Sequence, residues 1–398
     1  MKFTDIKLVS YFDSVRANIQ YQISKVELSD SLGVSNAALF CYVKNNKFST
    51  NIGWDALGNV EPALFAFNTH LQENKDVVTE FKPSFFFLKS QKWDINPDSK
   101  LLWNKDIFEF TDFEIVNGDH LVDLHGKVSH DPKDWLYFQV KDFDLEALNG
   151  LTGGIDLGGI LNIQGGVSDV YNNIRFMSVS DVKGLFVEGE LVGDLLVDSK
   201  WNKESNSVGI RGNLKRDNKE TFKFAGNYFT EKERDNINLD LIFDYTDIGF
   251  LNAFSDPDLY TNIAGILNGK LNISGEVSDP IIDGKLDVVT ANVKVPMFNV
   301  TFGASGGINF GHDEIIVDYM NVTDQEGNNA IASMQIYHYD WKDWNYDITL
   351  DMEGPLVSDR FLVMDTYYKD GDFYYGKAYI TGDVNIFGYE GITEITVN

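Results

Sequence analysis

GILNIQGGVSD (Gly159–Asp169) recurs later in the chain as GKLNISGEVSD (Gly269–Asp279) and, shortened, as GDVNIFG (Gly382–Gly388). The first two copies agree at eight of eleven positions, and the three copies stand about 110 residues apart. Within each copy apolar and polar residues alternate, which is typical of a β-strand with one apolar and one polar face. A strand repeated at a fixed period predicts similar β units that pack against their neighbours.

The composition favours the same fold class. The 398 residues are 43% hydrophobic and 14% aromatic, with 29 Phe, and such residues favour pleated, half-buried surfaces. Alternation also covers Phe108, Phe110 and Phe113 to Ile115, with one slip. Asn117–Gly118, Asp283–Gly284, Gly327–Asn328 and Asp370–Gly371 predict tight turns. Only 144–150 and 247–254 could form short helices, so we expect an all-β chain built as an elongated, curved sheet.

The repeat extends beyond the glycine-bounded strand. Residues 126–150 and 334–354 both contain a His, then Lys-Asp-Trp, then an alternating stretch, and a degenerate version covers 212–226. These blocks predict repeats at about 126–211, 212–333 and 334–398. No Pro/Ser/Gly-rich linker separates them, so we expect one continuous β-structure rather than independent domains. Residues 1–125 are β-rich but carry no clear motif.

Net charge and targeting signals limit the partners and the cellular location that we expect. A formal charge of −28 excludes nucleic acid as a partner, because a binder needs a positive surface to replace phosphate counterions. Cys41 is the single cysteine, so no internal disulfide forms. The N-terminal sequence does not resemble a signal peptide, and no run approaches the roughly 18 apolar residues of a membrane-spanning helix. We therefore expect either a cytoplasmic protein or a fragment of a longer one, and the final strand-like residues favour the fragment.

Sequence signals for catalysis are missing. The chain has no HExxH, CxxC, GxSxG or P-loop pattern. His120, His125 and His130 are spaced by five, which places successive residues on opposite faces of a strand. The glycine pairs in 153–166 flank alternating strands, so they indicate turns and bends rather than a phosphate site. We expect no enzyme activity, no cofactor and no metal site.

The alternating apolar residues are the candidate functional residues. A sheet with a long apolar face and no covering helices must bury that face against a second sheet or around a guest. Any one of these residues taken alone is more typical of an ordinary core, and the repetition favours a groove. Gly165, Gly275 and Gly388 fall on the same face and predict bends or bulges. The candidates are Leu161, Ile163, Val167, Leu271, Ile273, Val277, Phe298, Val300, Phe302, Val384 and Ile386.

The segment from about Asp247 to Gly388 resembles the C-terminal region of the TamB family, the inner-membrane-anchored subunits of the translocation and assembly module. The resemblance begins with GKLNISGEVSD and PIIDGKLDVVTANVKVPMFNVTF (Pro280–Phe302), and continues with GGINF (Gly306–Phe310). An Asp-x-x-Gly-Asn turn at Asp324–Asn328 and an I-x-H strand at Ile336–His338 follow. The last element is YYGKAYITGDVNIFG (Tyr374–Gly388). The match extends upstream to about Gly126 only through the repeats.

This resemblance implies a taco-like, U-shaped groove with an apolar interior. It also implies a periplasmic segment of a bridge that carries phospholipid acyl chains between the inner and outer membranes and supports outer-membrane biogenesis. The partners that the resemblance implies are an outer-membrane barrel of the TamA type and nascent outer-membrane proteins. Measured against that family pattern, we expect this chain to be a fragment without the N-terminal membrane anchor and the last C-terminal strands.

Two other functions stay open at this point. The first is an assembly factor that offers strand edges to nascent barrel proteins by β-augmentation. The second is a periplasmic or surface β-solenoid that acts on polysaccharide, which clustered carboxylates on one outward face would favour.

Overall fold

A computed structural model describes residues 2–13, 16–27, 33–56, 62–88, 91–149, 155–230, 235–353, 357–368, 375–389 and 392–397. Strands hold 75% of the chain and helices 3%, which confirms the all-β class with few short helices. Twenty-six strands belong to one antiparallel sheet and two form a separate sheet. The chain divides into unit 1 (residues 1–183 and 197–201) and unit 2 (residues 184–196 and 202–398).

Unit 1 is an antiparallel meander. Its strands are β1 (Lys2–Phe12), β2 (Arg16–Glu27), β3 (Gly33–Lys44), β4 (Lys47–Ala56), β5 (Pro62–Leu71), β6 (Val77–Phe81), β7 (Ser84–Leu88), β8 (Gln91–Ile95), β9 (Lys100–Trp103), β10 (Phe108–Asn117), β11 (His120–Val128), β12 (Trp135–Asp144) and β13 (Leu157–Ser168). A 3₁₀ helix covers Leu145–Leu148. Strands β14 (Arg175–Val187) and β15 (Glu190–Asn202) contribute residues to both units.

Between β5 and β10 the meander of unit 1 has two short strand pairs, β6–β9 and β7–β8, in place of two long strands. Strand β5 pairs with both β6 and β7, and β10 pairs with both β8 and β9. The missing N–H groups of Pro83 and Pro97 explain the division, because proline cannot donate to a strand ladder. Each proline therefore splits what would be one long strand into two short ones.

Unit 2 continues with the same sequential pairing. Its strands are β16 (Ser207–Arg216), β17 (Lys219–Tyr228), β18 (Ile237–Asp247), β19 (Thr261–Glu276), β20 (Asp279–Val295), β21 (Val300–Gly311), β22 (Glu314–Thr323), β23 (Asn329–Tyr339), β24 (Lys342–Asp351), β25 (Phe361–Thr366), β26 (Gly376–Ile380), β27 (Asp383–Tyr389) and β28 (Ile392–Val397), with a 3₁₀ helix at Gly249–Phe254. Strand β24 pairs directly with β27, and β25 and β26 form a hairpin of their own between them in the chain.

The three sequence copies occupy equivalent places in the pairing. They contribute to β13, to β19 and to β27, and each of these strands pairs antiparallel with a strand that precedes it in the chain: β12, β18 and β24. The Lys-Asp-Trp blocks lie at the starts of β12 and β24. The repeated sequence therefore encodes a repeated strand pair.

Two of the four predicted turns are confirmed, and both lie between consecutive strands. Asn117–Gly118 closes the β10–β11 hairpin with Gly118 at φ 57°, and Gly327–Asn328 lies in the turn between β22 and β23. The turn predicted at Asp283–Gly284 is wrong, because both residues lie inside β20 and pair with residues of β19. The Asp370–Gly371 turn and Tyr374 lie outside the described residues.

The slip in the β10 alternation is a β-bulge. The register shifts between Phe110 and Phe113, and Asp112 has a φ of 50°. Hydrogen bonds from Ser99 Oγ (2.8 Å) and Asn96 Nδ2 (3.4 Å) to the Asp112 carbonyl support the bulge. The extra residue restores the apolar side chain of Phe113 to the face that Phe110 occupies.

Candidate functional site

Strands β16–β20 of unit 2 present one apolar face. Paired residues share a face of a sheet, so the register defines this face strand by strand. We call it the open stretch; its members are Val208, Ile210, Leu214, Phe222, Phe224, Leu239, Leu241, Phe243, Leu271, Ile273, Ile282 and Leu286. Val208, Leu214 and Leu286 are buried and the rest are only half-buried. Most of this face is therefore only partly covered.

The opposite face of the same strands is polar. Asn272 Nδ2 donates to Asn238 Oδ1 and to Asp240 Oδ1, both at 2.9 Å. Ile242 is an apolar residue on this polar face. It is the cross-strand partner of Lys223 and of Lys270, and it is 37% exposed. The sheet is amphipathic here, with its polar side chains hydrogen-bonded to one another across strands.

The β25–β26 hairpin covers the apolar face farther along unit 2. The Phe361 ring stacks on that of Phe302, with centroids 5.9 Å apart and planes at 5°. Phe361 is 1% exposed and clusters with Ala330, Met352 and Val384. We call this region, the apolar face of β21–β24 and β27 with the hairpin on it, the closed end.

Hydrogen bonds attach the hairpin at its margins. The Asp365 N–H donates to the Phe298 carbonyl (2.9 Å), and Asn299 Nδ2 donates to the Asp365 carbonyl (2.6 Å). On another side, the Ser358 N–H donates to the Asn329 carbonyl, and Ser358 Oγ accepts from the Asn329 N–H, both at 2.9 Å. The hairpin is thus held by backbone groups as well as by apolar packing.

A buried carboxylate joins the hairpin to the β22–β23 turn. Asp324 is 5% exposed and accepts from the N–H groups of Glu326, Asn328 and Leu362 and from Asn328 Nδ2, at 2.7–2.9 Å. Burial alone would raise the pKa of Asp324, but these hydrogen bonds outweigh it and hold the pKa below the usual 3.8. A charged Asp324 therefore fixes both the turn and the start of the hairpin.

An exposed ionic cluster lies at the outer margin of the hairpin. Glu326 accepts from Lys377 Nζ (2.8 Å) and from the Tyr379 hydroxyl (2.9 Å), while Arg360 lies over the Tyr379 ring at 4.6 Å. The hydrogen bond from Lys377 is the main reason that the pKa of Glu326 is lowered, and the same bond raises the pKa of Lys377. Both groups stay charged across the neutral range.

Unit 1 also has an apolar face. On β10–β13 the register aligns Phe113, Ile115, Val122, Leu124, Leu136, Phe138, Val140, Leu161, Ile163 and Val167. These residues are half-buried. A row of rings extends the face toward β5, with Phe67 to Phe81 at 6.1 Å and Phe81 to Phe113 at 5.3 Å.

Nine of the eleven predicted groove residues lie on these apolar faces. Leu161, Ile163 and Val167 belong to unit 1, and Leu271 and Ile273 belong to the open stretch. The remaining four, Val300, Phe302, Val384 and Ile386, lie at the closed end. Val300 is fully buried there, and Phe302 and Ile386 pack on the same cluster as the hairpin. Phe302 and Val384 pack with Phe361 of the hairpin, so at least these predicted groove residues are covered by the chain itself.

The placement of two predicted residues on strands is wrong. Val277 follows the last residue of β19 and is 58% exposed, because Gly275 at φ 89° ends the regular alternation. Phe298 lies in the turn before β21, where its N–H donates to the Val295 carbonyl, and it is 40% exposed. Pro296 starts this turn by removing a ladder donor.

Three inward glycines make room for aromatic rings. A Cβ on Gly165 would lie 2.6 Å from Phe138 Cζ, on Gly212 it would lie 2.4 Å from Phe224 Cζ, and on Gly388 it would lie 2.0 Å from Tyr346 Cζ. Each glycine is the cross-strand partner of that aromatic residue. The expectation of a bulge is wrong at Gly165 and Gly388, since no register shift occurs at either.

Sequence reasoning missed the covering hairpin. Its contacts with β21 and with the β22–β23 turn join residues 38–66 positions apart, and local alternation carries no signal for them. The sequence offers one partial signal, the Asp-x-x-Gly-Asn turn. The carboxylate of Asp324 in such a turn can accept a hydrogen bond from an N–H group outside the turn. In the structure that further N–H belongs to Leu362, which is fully buried beside Phe361.

Among the described residues, no group of three or more His, Cys, Asp or Glu side chains is placed to hold a metal ion. Within the same residues no helix has the length and apolarity needed to cross a membrane. No protein-family model matches the chain, and neither does any curated protein or solved structure.

Proposed function

We propose that the apolar faces of this protein shield the acyl chains of phospholipids during transfer between the inner and outer membranes. The proposal follows the resemblance to the TamB family and places the chain in the periplasm, in a longer protein that is anchored in the inner membrane. A barrel of the TamA type would be its outer-membrane partner. No catalytic group is required, because shielding needs only apolar surface.

The observation that carries the proposal is the half-buried state of the open stretch. Phe224, Leu241 and Leu271 on successive strands face the same side, and they remain half-buried. Exposing about 15 methylenes of an acyl chain to water costs about 12 kcal/mol, at about 0.8 kcal/mol per methylene. Contact with an apolar sheet face would offset much of that cost and would also cover the face itself.

The dimensions of the open stretch suit one acyl chain. Five neighbouring strands, β16–β20, span about 19 Å at about 4.8 Å per strand gap. One leaflet of a bilayer with a hydrocarbon core of about 30 Å holds its acyl chains in about 15 Å. A chain lying across these strands would therefore contact apolar side chains along its length.

The test compares two neighbouring residues on β18. Leu241 points to the apolar face and Ile242 to the polar face. We expect Leu241→Asp to weaken binding of a fluorescent phosphatidylethanolamine at least tenfold, because the new carboxylate would be desolvated by the lipid. Ile242→Asp, the matched control, should bind as the wild type does.

Two outcomes would reject the lipid proposal. One is a wild-type protein that binds no labelled phospholipid and co-purifies with none in native mass spectrometry. The other is equal binding by the Leu241→Asp and Ile242→Asp proteins when both retain the wild-type circular dichroism spectrum.

A second candidate function is β-augmentation of nascent outer-membrane proteins. Strand β28 pairs only with β27 among the described residues, and all six of its residues are exposed. Such an edge can add a strand from another chain. Cross-linking from β28 to an unfolded barrel protein, without cross-linking of the open stretch to lipid, would favour this function.

A further inference from the structure

The polar face of unit 1 contains a depression of about 470 Å³ between β11 and β15. Its volume lies in the range typical of small-molecule sites. Side chains from five strands line it, among them His125, Tyr137, Gln139, Gln164 and Lys200. His125, Tyr137, Gln139 and Gln164 belong to the face opposite the apolar one, and Phe138 is the only apolar-face side chain of β11–β13 in the lining. Acyl-chain shielding therefore does not account for this depression.

His125 and Tyr137 line the depression, and the ring of Trp135 continues their nearly parallel row just outside it. Tyr137 lies 5.5 Å from His125 with planes at 26°, and 6.2 Å from Trp135 with planes at 19°. The Asp123 carboxylate holds the His125 ring through Nδ1 at 2.7 Å. Tyr137 remains 38% exposed, so a ligand can reach its ring.

A glycine allows these rings to lie close to the sheet. Gly166 is the cross-strand partner of Tyr137. A Cβ there would lie 3.0 Å from Tyr137 Cδ1 and 3.1 Å from Trp135 Cε3. Any larger residue at Gly166 would press on both rings, so the glycine contributes to the shape of this surface.

Two amides lie next to the rings. Gln139 and Gln164 are cross-strand partners, and both side chains are exposed. Neither amide forms a hydrogen bond with another of the described residues. Together they offer two carbonyl acceptors and two NH₂ donors at neighbouring positions, which suits adjacent hydroxyl groups.

The charges around the depression offset each other. Asp198 and Lys200 stand two positions apart on β15, so both side chains point to the same side of the strand. An anionic ligand would meet Asp198 and the strongly negative chain, and a cationic one would meet Lys200. Met177 and Val179 add apolar surface to the lining. The lining therefore favours a neutral ligand that combines apolar C–H faces with hydroxyl groups.

We infer that this depression binds a neutral oligosaccharide. One pyranose ring places its apolar C–H face on Tyr137, and its hydroxyl groups exchange hydrogen bonds with Gln139 and Gln164. Lys200 and Asp198 reach hydroxyl groups of the neighbouring sugar. The site is a binding site and not a hydrolytic one, and it does not depend on the lipid proposal.

The test is calorimetric titration of the full chain with maltohexaose, cellohexaose, laminarihexaose and chitohexaose. We expect at least one of these probes to bind with a Kd of about 1 mM or tighter. Tyr137→Ala should weaken that binding about tenfold by removing the stacking surface. Gln164→Ala should also weaken it, and since this amide has no partner within the described residues, the substitution leaves the fold intact.

Tyr42→Ala is the matched control. Tyr42 belongs to the same unit on β3 and is 39% exposed, close to the value for Tyr137, but it lies outside the depression. This variant should bind as the wild type does. Absence of binding by all four probes, or equal binding by the Gln164→Ala and wild-type proteins, would overturn the inference.

Discussion

The open stretch and the closed end of unit 2 have the same strand pattern and different burial. In both, antiparallel strands direct alternate apolar residues to one face. At the closed end Val300, Ala330 and Leu362 are fully buried, whereas Phe224 and Leu241 in the open stretch are half-buried. The β25–β26 hairpin contributes to this difference, because it supplies a second layer that packs on Phe302, Ala330 and Val384. A second buried cluster, Val288, Val317, Met320 and Ala332, packs against residues of neighbouring strands and includes no residue of the hairpin.

The largest effect is expected for Phe361→Ala at the closed end. Removing this buried ring should lower the free energy of unfolding by about 3–5 kcal/mol, because the cavity would be enclosed by Phe302 and Ala330. Phe243→Ala in the open stretch is the control, with a loss of about 1–2 kcal/mol from a half-buried ring. Urea denaturation followed by circular dichroism measures both. Equal losses would show that the two regions do not differ in packing.

The next largest effect is expected for Asp324→Asn. The variant should lose about 2 kcal/mol at pH 7, since an amide cannot replace a carboxylate that accepts four hydrogen bonds. The pKa of Asp324 is lower in the folded state than the usual 3.8, so its contribution is complete above that value. As the pH falls below about 4, the unfolded state takes up the proton first and the contribution is lost. Urea denaturation at pH 7 and pH 3 measures this, and a wild-type-to-variant difference that stayed constant would contradict the assignment.

A smaller effect, about 1–2 kcal/mol, is expected for Gly388→Ala. The added methyl would overlap the Tyr346 ring, so Tyr346→Ala should relieve the overlap and the two losses should not add. Gly212→Ala offers a contrast, because the Leu196 carbonyl at 2.6 Å also blocks that methyl and Phe224→Ala should rescue only part of the loss. Additive losses in the Gly388–Tyr346 cycle would rule out the explanation by ring packing.

The smallest effect is expected for Glu326→Gln. Lys377 and Glu326 are solvent-exposed, and exposed ion pairs contribute little because water and salt screen them. The unfolding midpoint should change less than in the Asp324→Asn protein, and the change should vanish in high salt. A larger change than in Asp324→Asn would mean that the ionic cluster, rather than the buried acid, holds the hairpin.

Local alternation predicted the apolar face of the repeated strands. Leu271 and Ile273 lie on the predicted face because a strand alternates with period two whatever it pairs with. The strand positions predicted for Phe298 and Val277 are wrong, because Pro296 and Gly275, which has a positive φ, end the regular strand geometry. The alternation of apolar residues in the sequence continues past both points. The limits of a strand depend on single backbone groups, which apolar periodicity does not report.

The covering layer could not be predicted in this way. Phe361–Leu362 looks like any other apolar stretch, and only its contacts with Phe302 and Asp324, far away in the chain, identify it as a cover. The same holds for Gly388, whose role depends on the ring of Tyr346. Contacts between distant segments decide which part of the apolar face stays accessible.

The most direct measurement of the central claim is site-specific photocross-linking in cells. A photoreactive phenylalanine analogue replaces Leu241 or Leu271 on the apolar face, and Ile242 or Lys270 on the polar face, one position at a time. Acyl-chain shielding by the open stretch predicts phospholipid adducts at positions 241 and 271 and none at 242 and 270. Adducts of equal yield on both faces, or no lipid adduct at 241 and 271, would contradict it.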